Sequence, residues 1–93
     1  MNHVKILESS KEILKARGEK YGELRANFRR IGLIAGQILG KDISAYDIAI
    51  IMHALKLSRI RESPEEMDHY IDGINYLSFA GEFSSEKPEP EDF

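Results

Sequence analysis

Two aspartates and an asparagine near the carboxyl end are the clearest candidates for chemistry in this sequence. Asp68, Asp72 and Asn75 are spaced by four and three residues, so they share one stripe if this segment is an α-helix. Carboxylates four residues apart repel each other in water, and a divalent cation or a basic partner between them removes that penalty. Oxygen ligands of this kind suit magnesium, so Asp68 and Asp72 are candidate ligands for Mg²⁺, with a basic partner as the alternative.

Two basic residues upstream are the candidates for binding an anion. Lys56 and Arg59 are three residues apart in an otherwise apolar helical segment, so their side chains point the same general way. They could bind the phosphates of a nucleotide, or they could pair with Asp68 and Asp72 across a helix interface. Judged by spacing alone, a structural salt-bridge network is the favoured interpretation of these four charges.

Composition excludes several other kinds of chemistry. The 93 residues include no cysteine, which excludes disulfides, thiolate zinc sites and a cysteine nucleophile. Serine hydrolase, zinc protease, phosphate-loop and dinucleotide-binding motifs are all absent. The net charge of −3 argues against DNA or RNA binding. No long apolar run and no signal-peptide core are present, so the protein is expected in the cytoplasm, away from membranes.

The elements that position these residues are predicted to be helices throughout. Apolar residues recur at helical spacing over four segments, at about 3–17, 23–39, 44–62 and 64–83. Gly40 is expected to end the second helix. Ser44 and Asp47 have the spacing of a capping box at the start of the third, and Ser63 followed by Pro64 predicts the start of the fourth.

The arrangement expected from these helices is an antiparallel four-helix bundle, or helical hairpins completed by oligomerisation. The third helix is apolar nearly all round, which is typical of the middle of a bundle or a subunit interface. Gly32 and Gly36 permit a neighbouring helix to approach closely. We therefore expect a homo-oligomer, most simply a dimer, with the third helix or the Gly32 and Gly36 face at the contact. Residues 1–83 are predicted to form one domain and residues 84–93 a disordered acidic tail.

The order of several motifs resembles a known family. The residues that carry the resemblance are Tyr21, Gly22, Asn27, Ile31, Gly40, Asp47, Lys56, Arg59, Asp68, Asp72 and Tyr76. Over residues 17–83 the chain resembles an uncharacterised phage and prophage family of small helical proteins, known only as a domain of unknown function. It is also similar to a nucleotide-modification-associated phage domain, which is grouped with the MazG-like all-α nucleotide pyrophosphohydrolases.

This resemblance implies a nucleotide-binding protein of phage origin, working in the cytoplasm of a bacterial host. The implied nucleotide site comprises Lys56, Arg59, Asn75, Tyr76, Tyr21 and Asn27, with magnesium on Asp68 and Asp72. Magnesium-dependent hydrolysis of a nucleoside triphosphate would follow, but MazG-like enzymes use two acidic pairs and the second helix here has none. The alternative is a non-enzymatic phage protein that binds and inhibits or redirects a host factor through an acidic helical surface and the tail.

Overall fold

The chain folds into helices wherever its structure is described. The computed structural model describes residues 1–17 and 21–85, with the backbone but not the side chain of Tyr21. Its helices are α1 (His3–Ala16), α2 (Tyr21–Leu39), α3 (Ala45–Glu62) and α4 (Met67–Ser85). No strand occurs in this part of the chain, so the all-α prediction is confirmed. Of the predicted tail, Ser84 and Ser85 belong to α4, and residues 86–93 lie outside the described residues.

The ends of α2 and α3 follow from their capping residues as the sequence predicts. Gly40 ends α2 with a φ of 72°, a left-handed conformation that glycine adopts at little cost. At the start of α3, the hydroxyl of Ser44 accepts a hydrogen bond from the Asp47 amide at 3.1 Å. The Asp47 carboxylate accepts one from the Ser44 amide at 2.9 Å. This reciprocal capping box is worth about 1 kcal/mol to the helix.

The predicted start of α4 at Ser63 and Pro64 is wrong. Ser63 instead caps the carboxyl end of α3, where its amide donates to the carbonyl of Arg59 at 2.9 Å. Pro64 lies in the turn that follows, and α4 begins only at Met67. Proline lacks the amide that α3 would need to continue, so the serine-proline pair ends one helix here and does not begin the next. The Tyr70 hydroxyl donates to the Pro64 carbonyl at 2.7 Å and ties the turn to α4.

Helix α3 lies in the middle of the arrangement, as its apolar circumference predicts. It packs against both α2 and α4, and α1 packs against α4. Because the connections from α2 to α3 and from α3 to α4 are short, these neighbours are antiparallel. Among the described residues α1 and α2 make no backbone contact, so the four helices form an open array. No described helix has the length and apolar character needed to cross a membrane.

The core lies between α2, α3 and α4. Its buried residues are Phe28, Ile48, Ala49, Ala80 and Phe83.

The glycines of α2 border this core. A Cβ on Gly32 would overlap the Ile43 carbonyl oxygen, and one on Gly36 would crowd that of Lys41. The close approach expected at these glycines is therefore real, but the neighbour is the chain's own α2–α3 connection. This connection already covers Gly32, and the homo-oligomer with α3 or the Gly32 and Gly36 face at its contact stays a prediction.

Candidate functional site

The α3–α4 hairpin brings the four predicted charges to one edge of the array. The Lys56 ammonium lies 3.1 Å from a carboxylate oxygen of Asp72. The Lys56 side chain is 19% exposed and that of Asp72 is 42% exposed, so the pair is only half shielded from water. Arg59 is one turn further along α3 and Asp68 one turn earlier on α4. In an antiparallel hairpin both positions lie nearer the turn, at about the same height. We call Lys56, Arg59, Asp68 and Asp72 the charged edge.

The two pairs of the charged edge differ in one respect. Lys56 and Asp72 neutralise each other, whereas Arg59 and Asp68 are both exposed and form no ion pair within the described part of the chain. A structural network would close all four charges on one another. The structure closes one pair and leaves the other open to a ligand or to solvent.

A glycine on α4 sets the distance between the two helices at the charged edge. A Cβ on Gly73 would lie 3.5 Å from the Cβ of Lys56, so α3 and α4 are in close contact here. The His53 ring nitrogen Nδ1 is 2.7 Å from the Gly73 carbonyl oxygen and is hydrogen bonded to it. His53 therefore has a structural role in the contact between α3 and α4. This contact supports the Lys56 and Asp72 pair from the neighbouring turn.

Asn75 and Tyr76, both predicted to bind nucleotide, have other partners. Asn75 is buried, and its side-chain oxygen accepts a hydrogen bond from the Ser10 hydroxyl of α1 at 2.5 Å. The Tyr76 ring stacks on Phe28 of α2, with 6.3 Å between ring centroids. These contacts attach α1 and α2 to α4 and support packing roles. They place Asn75 on the α1 side of α4 and Tyr76 against the core.

The predicted residues of α2 do not extend the charged edge in the described structure. Asn27 is exposed, and its side-chain oxygen accepts a long hydrogen bond of 3.4 Å from Arg30. The side chain of Tyr21 lies outside the description. Among the predicted residues whose side chains are described, the α3–α4 hairpin therefore brings together the four charges.

The charged edge fits magnesium only together with another ligand. The described residues include no group of three or more histidines or carboxylates arranged to hold a metal ion. Asp72 also already faces the Lys56 ammonium. Magnesium is, however, commonly held by one or two carboxylates together with substrate phosphates and water. Asp68 and Asp72 suit that second mode, so the magnesium prediction for this pair now requires a phosphate-bearing ligand.

The surroundings of the charged edge are acidic. The exposed carboxylates at the α3–α4 turn are Glu62, Glu65, Glu66 and Asp68. With Asp72 they outnumber the nearby cations Lys56, Arg59 and Arg61. An anion that approaches this edge is therefore attracted by individual donors but meets a negative field around them.

A cleft of about 400 Å³ lies on the other side of Lys56, between α1, α3 and α4. Its lining includes the aliphatic residues Ile6 and Leu7 of α1 and Leu57 and Ile60 of α3. Sequence analysis did not find it. The spacing of apolar residues shows which face of a helix is buried, but the cleft depends on where α1 docks against α4, and no motif marks that contact.

The fold and the charged edge define a small all-α protein in which the Lys56 and Asp72 ion pair joins two helices beside the charges of Arg59 and Asp68. The chain belongs to the family described as a domain of unknown function, DUF6378, whose model matches residues 5–84. This confirms the uncharacterised helical family that the motif order predicted.

A phage protein is also similar to this chain. The match is to the "Gene 55 protein" of Mycobacterium phage D29, with 30% identity over 87 residues. It covers 92% of this chain and 58% of the phage protein, so the chain spans less than two thirds of that relative. No solved structure matches. The phage association is confirmed, whereas neither the family description nor the relative's name says anything of a MazG-like activity.

Proposed function

We propose that this chain binds a nucleotide, as its magnesium complex, at the charged edge. The observation that carries the proposal is the Lys56 and Asp72 pair at 3.1 Å beside an exposed Arg59. A lysine ammonium has three donors, and Asp72 occupies one of them, which leaves two for phosphate oxygens. Arg59 adds a planar fork of donors that matches a phosphate and has no competing carboxylate in the described structure.

The acidic surroundings are the reason for proposing a magnesium complex. A free triphosphate carries several negative charges and is repelled by the carboxylates of the α3–α4 turn. Magnesium removes two of those charges and accepts oxygen ligands from both phosphates and carboxylates. Asp68 is exposed one turn before Asp72, so its carboxylate is free to contribute to the ion. Nucleotide and magnesium are therefore expected to bind together, each weakly without the other.

The proposal is limited to binding. The MazG-like hydrolysis implied by the sequence resemblance uses an acidic pair on each of two helices, and Glu23 is the only acid in α2. Tyr76 packs on Phe28 and Asn75 is hydrogen bonded to Ser10, so neither of these two predicted residues is available to bind the base in this structure. The phosphates are thus the part of the ligand that this edge recognises.

The experiment that tests this proposal is a thermal-shift screen with nucleoside mono-, di- and triphosphates, each with and without magnesium. A ligand that binds only the native state at about 100 times its dissociation constant adds about 2.7 kcal/mol. For a domain of this size that corresponds to a rise in Tm on the order of 10 °C. We expect the rise with nucleotide and magnesium together and little with either alone. No rise with any combination contradicts the proposal.

A second candidate function is binding of a host protein, and one observation favours it. The carboxylates of Glu62, Glu65, Glu66 and Asp68 are all exposed at one turn, as an acidic docking surface requires. If this function holds, a host protein is captured at fixed stoichiometry by the wild-type chain without nucleotide. A variant with Glu65→Lys and Glu66→Lys should lose that capture. If the variant still binds the same partner, the acidic turn is not the docking surface.

A further inference from the structure

The second half of α2 carries an exposed apolar face without any charge. Residues 31–39 contain no acidic or basic side chain. Ile31, Ile34 and Ile38 are spaced by three and four residues, so they form one stripe, and they are 38%, 55% and 76% exposed. Leu33 and Leu39 flank it and are 65% and 62% exposed. We call the three isoleucines the α2 stripe.

The described part of the chain leaves this stripe uncovered. The buried side of α2 is occupied by Phe28, which faces the core, and Gly32, which touches the connection at Ile43. Helix α3 is the only helix whose backbone contacts α2 in the described structure. Exposed isoleucines on one side of a helix and a filled contact on the other indicate an interface still to be formed.

The size of the chain's own core indicates that one copy does not bury its apolar residues well. The radius of gyration is 14.3 Å, against about 12 Å for a compact chain of this length. No large side chain is fully buried among the described residues. A small domain with a thin core gains from burying further apolar surface against a partner.

We propose that the partner is a second copy of this chain, which docks α2 against α2 in antiparallel orientation about a two-fold axis near Ile34. In this arrangement Ile31 of one copy faces Ile38 of the other, so the stripe is complementary to itself. An uncharged patch gives a charged partner nothing to pair with, whereas an identical uncharged patch matches it without desolvating any charge.

The charges of α2 favour the antiparallel orientation. The basic residues Arg25, Arg29 and Arg30 all lie before the stripe. With the crossing at Ile34, Arg29 and Arg30 of the two copies are about 12 to 15 Å apart along the helix axis, at 1.5 Å per residue. That separation exceeds the screening length of about 8 Å at physiological salt. A parallel pairing would place the same arginines side by side, where they repel.

The expected affinity is modest. One helix against its copy buries a few hundred Å² per chain, which is less than the roughly 800 Å² per partner of standard interfaces. We therefore expect a reversible dimer with a dissociation constant on the order of micromolar. In sedimentation equilibrium, the mass should rise with concentration from 10.6 kDa towards twice that value.

Two aspartate variants test which face forms the contact. Ile34→Asp places a carboxylate in the proposed interface and should raise the dissociation constant by roughly 100-fold or more. Ile51→Asp is the matched control, since Ile51 is on α3 and is 53% exposed, close to the 55% of Ile34. The control should still dimerise. A wild-type chain that stays monomeric at several hundred micromolar overturns the proposal. It is also overturned if both variants weaken the dimer equally, or if Ile34→Asp does not weaken it.

Cross-linking gives an answer even if an aspartate variant fails to fold. The chain has no cysteine, so a single introduced thiol can form a disulfide only with another copy. Under mild oxidation a mixture of Ile31→Cys and Ile38→Cys chains should form the mixed disulfide in preference to either like pair, because those positions face each other. If each variant instead forms disulfides preferentially with itself, the contact is parallel. If all pairs form disulfides equally slowly, at the rate of the Ile51→Cys variant, there is no contact between α2 helices. Either result rejects the proposed dimer.

Discussion

Replacing Asp72 by asparagine measures what the Lys56 and Asp72 pair contributes to stability. The Lys56 ammonium and the Asp72 carboxylate are 3.1 Å apart, but the Asp72 side chain is 42% exposed, so solvent screens much of their attraction. Exposed pairs contribute up to about 1 kcal/mol, and loss of one partner from a buried pair costs about 3 to 5 kcal/mol. Because Asn keeps the shape and a hydrogen-bond acceptor, we expect Asp72→Asn to lower the free energy of unfolding by about 1 kcal/mol.

A smaller effect has the opposite sign. The change also removes the repulsion between the carboxylates of Asp72 and Asp68, which are four residues apart on α4. Loss of this repulsion raises the free energy of unfolding by a few tenths of a kcal/mol. This gain does not cancel the lost pair, since Asp68 is exposed and its field is screened. A net loss of about 1 kcal/mol corresponds to a fall in Tm of roughly 4 to 8 °C.

Urea unfolding of four proteins measures this contribution: wild type, Asp72→Asn, Lys56→Gln and the double variant. The coupling energy of the cycle should be close to 1 kcal/mol, and it should shrink as salt is added. Asp68→Asn is the control and should change stability by less than about 0.5 kcal/mol, because Asp68 has no ion partner in the described structure. Zero coupling would refute the pair, and a loss of 3 kcal/mol or more would refute its half-exposed character.

Two further predictions concern packing. Gly32→Ala should lower the free energy of unfolding in urea by about 2 kcal/mol or more, because the added Cβ overlaps the Ile43 carbonyl. Gly81→Ala in α4 is the control, since its Cβ meets nothing within 4 Å, and it should be neutral or stabilising. Equal effects of the two variants would contradict the close approach at Gly32. Ser10→Ala leaves the buried Asn75 oxygen without its donor and should cost about 1 to 2 kcal/mol, with faster amide exchange confined to α1; unchanged exchange in α1 would contradict this account of its docking.

Much of the fold could be predicted from local signals. Gly40 and the Ser44 capping box act within one turn of chain, so their sequence context is sufficient to place the ends of α2 and α3. The central place of α3 follows from its apolar circumference. Ser63 and Pro64 predicted a wrong start for α4, because a proline both stops a preceding helix and suits the first turn of a following one. The choice depended on how far α3 runs, which spacing does not show.

The candidate site could be predicted only in part, for a physical reason. Spacing on one helix places residues on a stripe, and each predicted pair, Asp68 with Asp72 and Lys56 with Arg59, does lie on one helix. It does not show what lies opposite the stripe. Asn75 shares the stripe of the aspartates, yet its neighbour is Ser10 of α1, and Tyr76 faces Phe28 of α2. Those partners depend on which helices pack against one another, and spacing along one helix does not show this.

The most direct test of the proposed nucleotide site is the affinity of the wild-type chain for a magnesium nucleoside triphosphate, compared with two arginine variants. Arg59 and Arg61 are both exposed near the end of α3, but two residues apart they lie on different faces, and only Arg59 belongs to the charged edge. In isothermal titration, Arg59→Gln should weaken binding about 10- to 100-fold, as expected for a lost arginine–phosphate hydrogen bond. Arg61→Gln should leave it nearly unchanged. Equal affinities for both variants, or no measurable binding by the wild-type chain, would contradict a nucleotide site at the charged edge.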